Sequence, residues 1–268
     1  MDLILKAILL GIVEGITEFL PISSTGHLIL FGHFINFTGK FAVLFEVVIQ
    51  LGAILAIVFY YRQRIFESFK NLKPGQWGFK LWVWMLIAFL PSGMMAFLLK
   101  DYIEKYLFSP MTVSIALVVG AVMMIVVEKN FTAHKHDNML KIGGKKSLLI
   151  GLAQCMSLFP GMSRSASTII GGMMVGLSVK AAAEFSFFLA IPTMFAATGY
   201  SLLKGFSSMT QLEWIALVVG FIVSFIVAFI VVGKFLEFLS KHSLKAFAYY
   251  RLVVGIAMFS LIVFGVVK

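Results

Sequence analysis

Charge is scarce in this sequence. Of its 268 residues only 13% are Asp, Glu, Lys or Arg, against about 25% in an ordinary soluble domain, which excludes a water-soluble globular fold. Cysteine is almost absent too: Cys155 stands alone, so there is no internal disulfide and no thiolate metal cluster, and a small packing residue is the simplest reading. The N-terminal apolar run Leu3–Phe19 lacks a small-x-small cleavage site and carries Glu14 and Glu18, so it is expected to stay in the mature chain. What remains is apolar. Hydrophobic residues make up 60% of the chain and the mean hydropathy is +1.00. At ~20 residues per membrane span and ~10 per connection, the length allows about eight or nine apolar passes and no separate soluble domain. The expectation is an all-α integral membrane protein, with residues 1–268 forming one membrane domain.

Six segments read as clean spans: Phe41–Tyr61, Leu81–Leu99, Met111–Val127, Phe185–Leu203, Trp214–Gly233 and Ala246–Val267. Two further apolar regions are broken. Leu3–Phe37 is interrupted at Pro21–His27, after which Leu28–Phe37 provides only about 15 Å of helix. Ser147–Leu177 is interrupted at Pro160–Ser165, between pieces of about 16–20 Å. Neither region has two pieces that each cross a ~30 Å hydrocarbon layer, so both are expected to be re-entrant helical hairpins. The regions also match each other at an offset of 140: Leu9-Leu10-Gly11 with Leu149-Ile150-Gly151, Glu14 with Gln154, Ser23 with Ser163. A hairpin returns to its own side and three spans then switch sides. Residues 1–140 and 141–268 are therefore expected to be two inverted-topology repeats, with a site where the breaks meet.

The formal net charge of +10 would suggest nucleic acid in a soluble protein; here it reads as loop charge facing anionic lipid, with no nucleic-acid partner. If the connections Arg62–Lys80, Lys129–Lys146 and Lys234–Lys245 are cytoplasmic, 15 of the 22 basic residues lie inside and six outside, with Arg164 left in the second hairpin. That bias orients the chain. Both termini and the first hairpin then lie outside, the second hairpin enters from the cytoplasm, and His134, His136 and His242 fall in solvated cytoplasmic loops.

Few charges are left at membrane depth. Glu14 and Glu18 share one helix face, Glu46 lies in the first clean span, Arg251 begins the last, and Arg164 sits in the second break. Ionised groups there cost about 2.5–3.5 kcal/mol each, so Glu14, Glu18, Glu46 and Arg164 together approach a whole protein's net stability. Such a set needs a use. Arg164 lies in Pro160-Gly161-Met162-Ser163-Arg164-Ser165-Ala166-Ser167-Thr168, a hydroxyl-rich turn opening into a helix. Free N–H groups, hydroxyls and a guanidinium fork make an anion site. Ser23-Ser24-Thr25-Gly26-His27 has the same make-up. Two such turns suit one diphosphate held between them. Three carboxylates against one arginine would repel it, so either the carboxylates are protonated or a divalent cation bridges them to phosphate oxygens; the expectation is the cation, Mg2+ or Ca2+, held by Glu14 and Glu18.

Glu14-x-x-x-Glu18, Pro21-x-Ser23-Ser24-x-Gly26-His27 and Pro160-Gly161-x-Ser163-Arg164-Ser165-x-x-Thr168 resemble the signature motifs of the bacterial undecaprenyl-diphosphate phosphatases, the bacitracin-resistance family. Phe45-Glu46 with Gln50-Leu51-Gly52, Ala183-Glu184-Phe185-Ser186 with Ile191-Pro192, and Tyr250-Arg251 with Gly255 extend the likeness along the chain. One departure is Ala166, where the family usually has glycine. The resemblance implies a multi-pass enzyme of the bacterial cell membrane that removes the terminal phosphate of the C55 isoprenoid diphosphate and so recycles the lipid carrier for peptidoglycan synthesis. It also implies an active site open to the outer face, divalent-cation dependence and bacitracin tolerance. The other membrane lipid phosphatases use a Pro-Ser-Gly-His element. Here Pro91-Ser92-Gly93 is followed by Met94, and no His-x-x-x-Asp accompanies it.

The expected catalytic set is Glu18, Ser24, His27 and Arg164: Ser24 as nucleophile, His27 or Glu18 moving its proton, Arg164 holding phosphate. Direct attack by activated water competes with the covalent route. Ser23, Thr25, Glu46, Gln50, Gly161, Ser163, Ser165 and Thr168 are the expected substrate contacts. The partners are a polyprenyl diphosphate and membrane lipids, and the sequence leaves a homodimer open. A transporter or flippase for polyprenyl phosphate is the rival reading, because broken helices in inverted repeats are transporter architecture.

Overall fold

A computed structural model describes residues 2–107, 109–131, 136–205 and 209–267 of the chain. His134, Lys135 and Lys268, assigned above to loops and the terminus, lie outside the described residues. Everything regular is helical: α1 (Leu3–Thr17), α2 (Ser24–Phe34), α3 (Lys40–Tyr60), α4 (Arg62–Lys70), α5 (Trp77–Tyr106), α6 (Pro110–Asn130), α7 (Gly143–Gln154), α8 (Arg164–Met174), α9 (Val179–Gly205), α10 (Gln211–Leu239) and α11 (Lys245–Val263), with 3-10 turns at Met139–Lys141 and Cys155–Leu158. Six of them, α3, α5, α6, α9, α10 and α11, are long and apolar enough to cross a membrane, and they are the six spans expected from hydropathy. Leu86, Leu90, Met94, Phe97 and Leu98 stay exposed along α5, an apolar outer face suited to lipid tails.

Several boundaries differ from the hydropathy reading. The breaks are shorter than expected, because each second helix starts inside the polar stretch. The Ser23 hydroxyl accepts from Gly26 N and so starts α2 at Ser24; the Ser163 hydroxyl accepts from Ala166 N and starts α8 at Arg164. Side-chain caps of this kind convert a sequence that reads as turn into a first helical turn, placing His27 inside α2 and Arg164 at the first position of α8. The helix α9 begins at Val179, ahead of Phe185, and α10 runs past Lys234 to Leu239, so Lys234 is helical and not in a loop. The connection after α3 holds the amphipathic helix α4. His136 is tied down rather than freely solvated: its backbone bridges Leu177, bonding Gly176 O and Ser178 N, and its ring lies 3.4 Å from Lys146 Nζ. His242 is exposed against Phe238, and Cys155 is a half-buried free thiol.

The 140-residue offset reappears in the backbone. α2 and α8 both have eleven residues, about 16 Å of helix. Their N-caps, Ser23 and Ser163, both sit at φ 71°, and Asn36 and Gly176 both turn left-handed behind them. Phe37 N donates to Gly32 O, as Leu177 N does to Gly172 O. Small residues seat both first helices closely: a Cβ at Gly11 of α1 would lie 2.7 Å from Gly220 O of α10, and one at Gly151 of α7 would overlap Ala88 O of α5. Backbones can approach this closely in lipid only where side chains are missing. The packing brings the C-terminal end of α1 and the N-terminal ends of α2 and α8 to one place.

Candidate active site

At that meeting point three of the four expected catalytic residues touch in a row. Ser24 Oγ donates to Glu18 Oε2 at 2.8 Å, and Arg164 Nη2 donates to Glu18 Oε1 at 2.8 Å. The Glu18–Arg164 ion pair joins residues 146 positions apart, with side chains only 6% and 10% exposed. Glu18 follows α1, Ser24 opens α2 and Arg164 opens α8, so one carboxylate links the ends of three helices. The Ser165 hydroxyl adds a second tie between the breaks by donating to Leu20 O at 2.9 Å.

Helix geometry explains what faces this spot. The first N–H groups of a helix have no intrahelical acceptor; Ser23 and Ser163 cap those of Gly26 and Ala166. The amides of Ser24 and Thr25, and of Arg164 and Ser165, remain for a ligand. Two helix dipoles and a guanidinium converge on one position, an arrangement suited to an anion. Both N-caps adopt positive φ without being glycine, a backbone cost of about 1–3 kcal/mol each, which is typical of turns whose shape serves a site.

Arg164 is held from behind. Its Nη1 donates to Ser186 O at 3.1 Å and approaches Ser186 Oγ at 3.4 Å, and the Thr168 hydroxyl bonds Ser186 Oγ at 2.6 Å. Thr168, expected to contact substrate, bonds Ser186 and the carbonyls of Arg164 and Ser165. Ser186 was quoted in a motif above without a role; hydroxyl content alone does not reveal which residue of α9 faces the arginine.

His27 lies close by, but its ring nitrogens bond groups other than Ser24. Its Nδ1 is 2.8 Å from Ser23 O and its Nε2 is 2.8 Å from Tyr250 Oη, with the two rings stacked 3° from parallel. A carbonyl can only accept, so in the neutral ring Nδ1 carries the proton and Nε2 accepts from the tyrosine hydroxyl. Both nitrogens are thereby engaged, and the group in contact with the Ser24 hydroxyl is Glu18. Tyr250 comes from α11, more than 220 residues away, where no spacing argument could have linked it to His27.

Glu14, one turn before Glu18, is fully buried, and both of its carboxylate oxygens lack a hydrogen-bond partner. Glu46 is close enough for its charge to act on Glu14, and Gln50 lies one turn further along α3. The site thus presents Glu14 and Glu18 beside one arginine fork, with Glu46 acting on Glu14 from α3. An unpartnered buried carboxylate beside a second one is a fitting donor set for a hard divalent cation. No group of three or more His, Cys, Asp or Glu converges among the described residues, so such an ion would need phosphate oxygens and water to complete its shell. Glu18 has spare lone pairs after its two contacts; Glu14 has all of them.

Residues 7–257 match the family described as bacitracin resistance protein BacA. The chain belongs to that family. It is 67% identical, over the whole length of both chains, to an undecaprenyl-diphosphatase of Thermoanaerobacter sp. (strain X514). It is 49% identical to an undecaprenyl-diphosphatase of Clostridium tetani, covering all of this chain and 99% of the relative. A third, from Acinetobacter baumannii, is 48% identical over 94% of this chain and 93% of its own. The motifs singled out in the sequence and the residues that meet in the fold are thus features of one family member.

Proposed function

We propose that the chain hydrolyses undecaprenyl diphosphate to undecaprenyl phosphate and inorganic phosphate, returning the lipid carrier to peptidoglycan synthesis and raising tolerance to bacitracin. The contact row Ser24–Glu18–Arg164, at the joint of two half-helix N-termini, carries the reading. It sits in a chain that matches an undecaprenyl-diphosphatase end to end.

In this reading Arg164 and the N-terminal amides of α2 and α8 hold the terminal phosphate, and Ser23, Thr25, Gly161, Ser163 and Ser165 shape the two turns around it. Ser24 Oγ attacks the terminal phosphorus as its proton passes to Glu18 Oε2; the bridging P–O bond breaks and undecaprenyl phosphate leaves. Water then cleaves the phosphoserine, releasing inorganic phosphate, and Glu18 returns the proton to Ser24. Most of the barrier lowering comes from donors already aimed at the phosphoryl oxygens. His27, fixed by Tyr250, steadies the Ser23 carbonyl and hence the turn. Glu14, with Glu18, would hold a divalent cation, which when bound neutralises phosphate charge and polarises the anhydride. Glu46 and Gln50 extend the polar wall toward the rest of the headgroup.

The membrane arrangement belongs to the same proposal. The short α1/α2 and α7/α8 pairs are read as re-entrant hairpins, each heading one of two inverted repeats, residues 1–140 and 141–268, within a single membrane domain. The 140-residue offset in caps and turns supports this. The bias of basic residues favours both termini on the outer face, and the family resemblance implies a site open to that face.

Phosphate release from a polyprenyl diphosphate by the detergent-solubilised protein tests the reading. Release is expected, and a chelator is expected to reduce it at least tenfold, with recovery on adding Mg2+ or Ca2+. No release in detergent, with lipid movement in sealed vesicles, would establish the transporter instead. For the covalent route, acid quenching at rapid mixing times with labelled substrate is expected to trap phosphoserine in the parent and none in Ser24→Ala. Absence of phosphoserine, with Ser24→Ala retaining more than about a tenth of the rate, would leave direct attack by water.

A further inference from the structure

Arg251 is the one arginine in a clean span, and it is completely buried in α11. Among the described residues it pairs with no carboxylate. Its five N–H groups all go to backbone carbonyls: Nε to Leu117 O at 3.2 Å, Nη1 to Pro21 O at 3.2 Å and Met162 O at 3.0 Å, Nη2 to Ala116 O and Gly161 O, both at 3.1 Å. Pro21 belongs to the first break, Gly161 and Met162 to the second, and Ala116 and Leu117 to α6. A guanidinium presents five donors in a rigid plane, and here the plane is filled by three chain segments. No other described side chain bonds to both breaks and to a spanning helix at once.

We propose that Arg251 is a positioning residue for the hydrolysis: it fixes the spacing of the two turns, so that Ser24 from one and Arg164 from the other address the same phosphate. It touches neither the reacting atoms nor Glu18, and acts through the Pro21 and Gly161–Met162 carbonyls. The inference rests on the hydrolase reading. Phosphate release by the parent protein tests that reading first, so the two can fail separately.

Glycine 120 of α6 provides a test that keeps the arginine. A Cβ there would overlap Arg251 Nη2 and sit 2.8 Å from its Cζ, while alanine is the better helix former. Gly120→Ala should therefore fold, yet push the fork off its acceptors. Arg251→Lys is the second variant: it keeps the charge but has three donors where five are needed. Both are to be compared with the parent in detergent for melting temperature, kcat and KM, and again in a Ser24→Ala background by single turnover.

The expected result is a kcat at least tenfold lower in either folded variant, with KM within about threefold. The loss should shrink to under threefold once Ser24 is absent, because a positioning effect on a missing hydroxyl cannot be expressed. Groups acting as a unit give such non-additive losses, and independent ones multiply. Equal losses in both backgrounds, or losses matching a reduced folded fraction, would make Arg251 merely structural. If both variants keep kcat within twofold of the parent, the proposal is wrong.

Discussion

Glu18→Gln is expected to lower kcat for phosphate release by about 10^3-fold, within the range of a lost general base combined with lost charge organisation. The amide keeps the size of the side chain and can still offer an oxygen to Arg164. What it cannot do is take the proton of Ser24, whose hydroxyl now donates to Glu18 Oε2. KM is not expected to rise with this loss of rate. At a divalent-cation concentration that saturates the weakened Glu14 site, one carboxylate fewer means less repulsion of a diphosphate, so KM should stay level or fall. Steady-state kinetics with a soluble short-chain polyprenyl diphosphate separates the two constants. A kcat within tenfold of the parent would remove Glu18 from the role of base and return it to His27.

The second large effect is Arg164→Ala, for which KM should move the other way. Among the described residues the guanidinium is the one cation paired with Glu18, and it bonds Glu18 and Ser186 together. Its loss takes a phosphate ligand away and leaves Glu18 buried without its counterion. Removing one partner of a buried ion pair costs about 3–5 kcal/mol of stability, and losing a preorganised donor to the developing charge costs about 10^2–10^3 in kcat. Arg164→Ala is thus expected to be less heat-stable in detergent, with a raised KM and almost no turnover. Arg164→Lys should recover stability before it recovers rate, because an ammonium satisfies Glu18 but cannot also span to the Ser186 carbonyl. A Lys variant with parent-like kcat would show that charge alone, and not the fork, is needed.

The pair of variants rests on residues the sequence marks plainly. Glu14, Glu18, Glu46, Arg164 and Arg251 stand out because charge in an apolar span is expensive, and hydroxyl-rich turns stand out because they interrupt helices. The six spans follow from hydropathy, and the helices confirm their number with boundaries displaced by a few residues. The starts of α2 and α8 were placed too late because Ser-Ser-Thr-Gly and Ser-Arg-Ser-Ala read as loop until the Ser23 and Ser163 caps are seen. The roles within the polar set were less legible. His27 was an equal candidate for the base, and only the contact with Tyr250 shows its second nitrogen engaged. Thr168 reads as a substrate ligand, and its bond to the serine behind Arg164 is visible only in the fold.

What the amino-acid order determined by itself is the class of molecule, the number of spans, the two broken regions with their 140-residue offset, and the short set of groups able to carry chemistry. These depend on local quantities: the length of an apolar run, the cost of a charge in it, the spacing of a turn. Tertiary structure alone decided which groups meet. Glu18 with Arg164, His27 with Tyr250, and Arg251 with both turns join residues from 89 to 230 positions apart. Those pairings depend on how α1, α8, α6 and α11 pack, through glycine contacts and backbone carbonyls that leave no periodic trace in sequence.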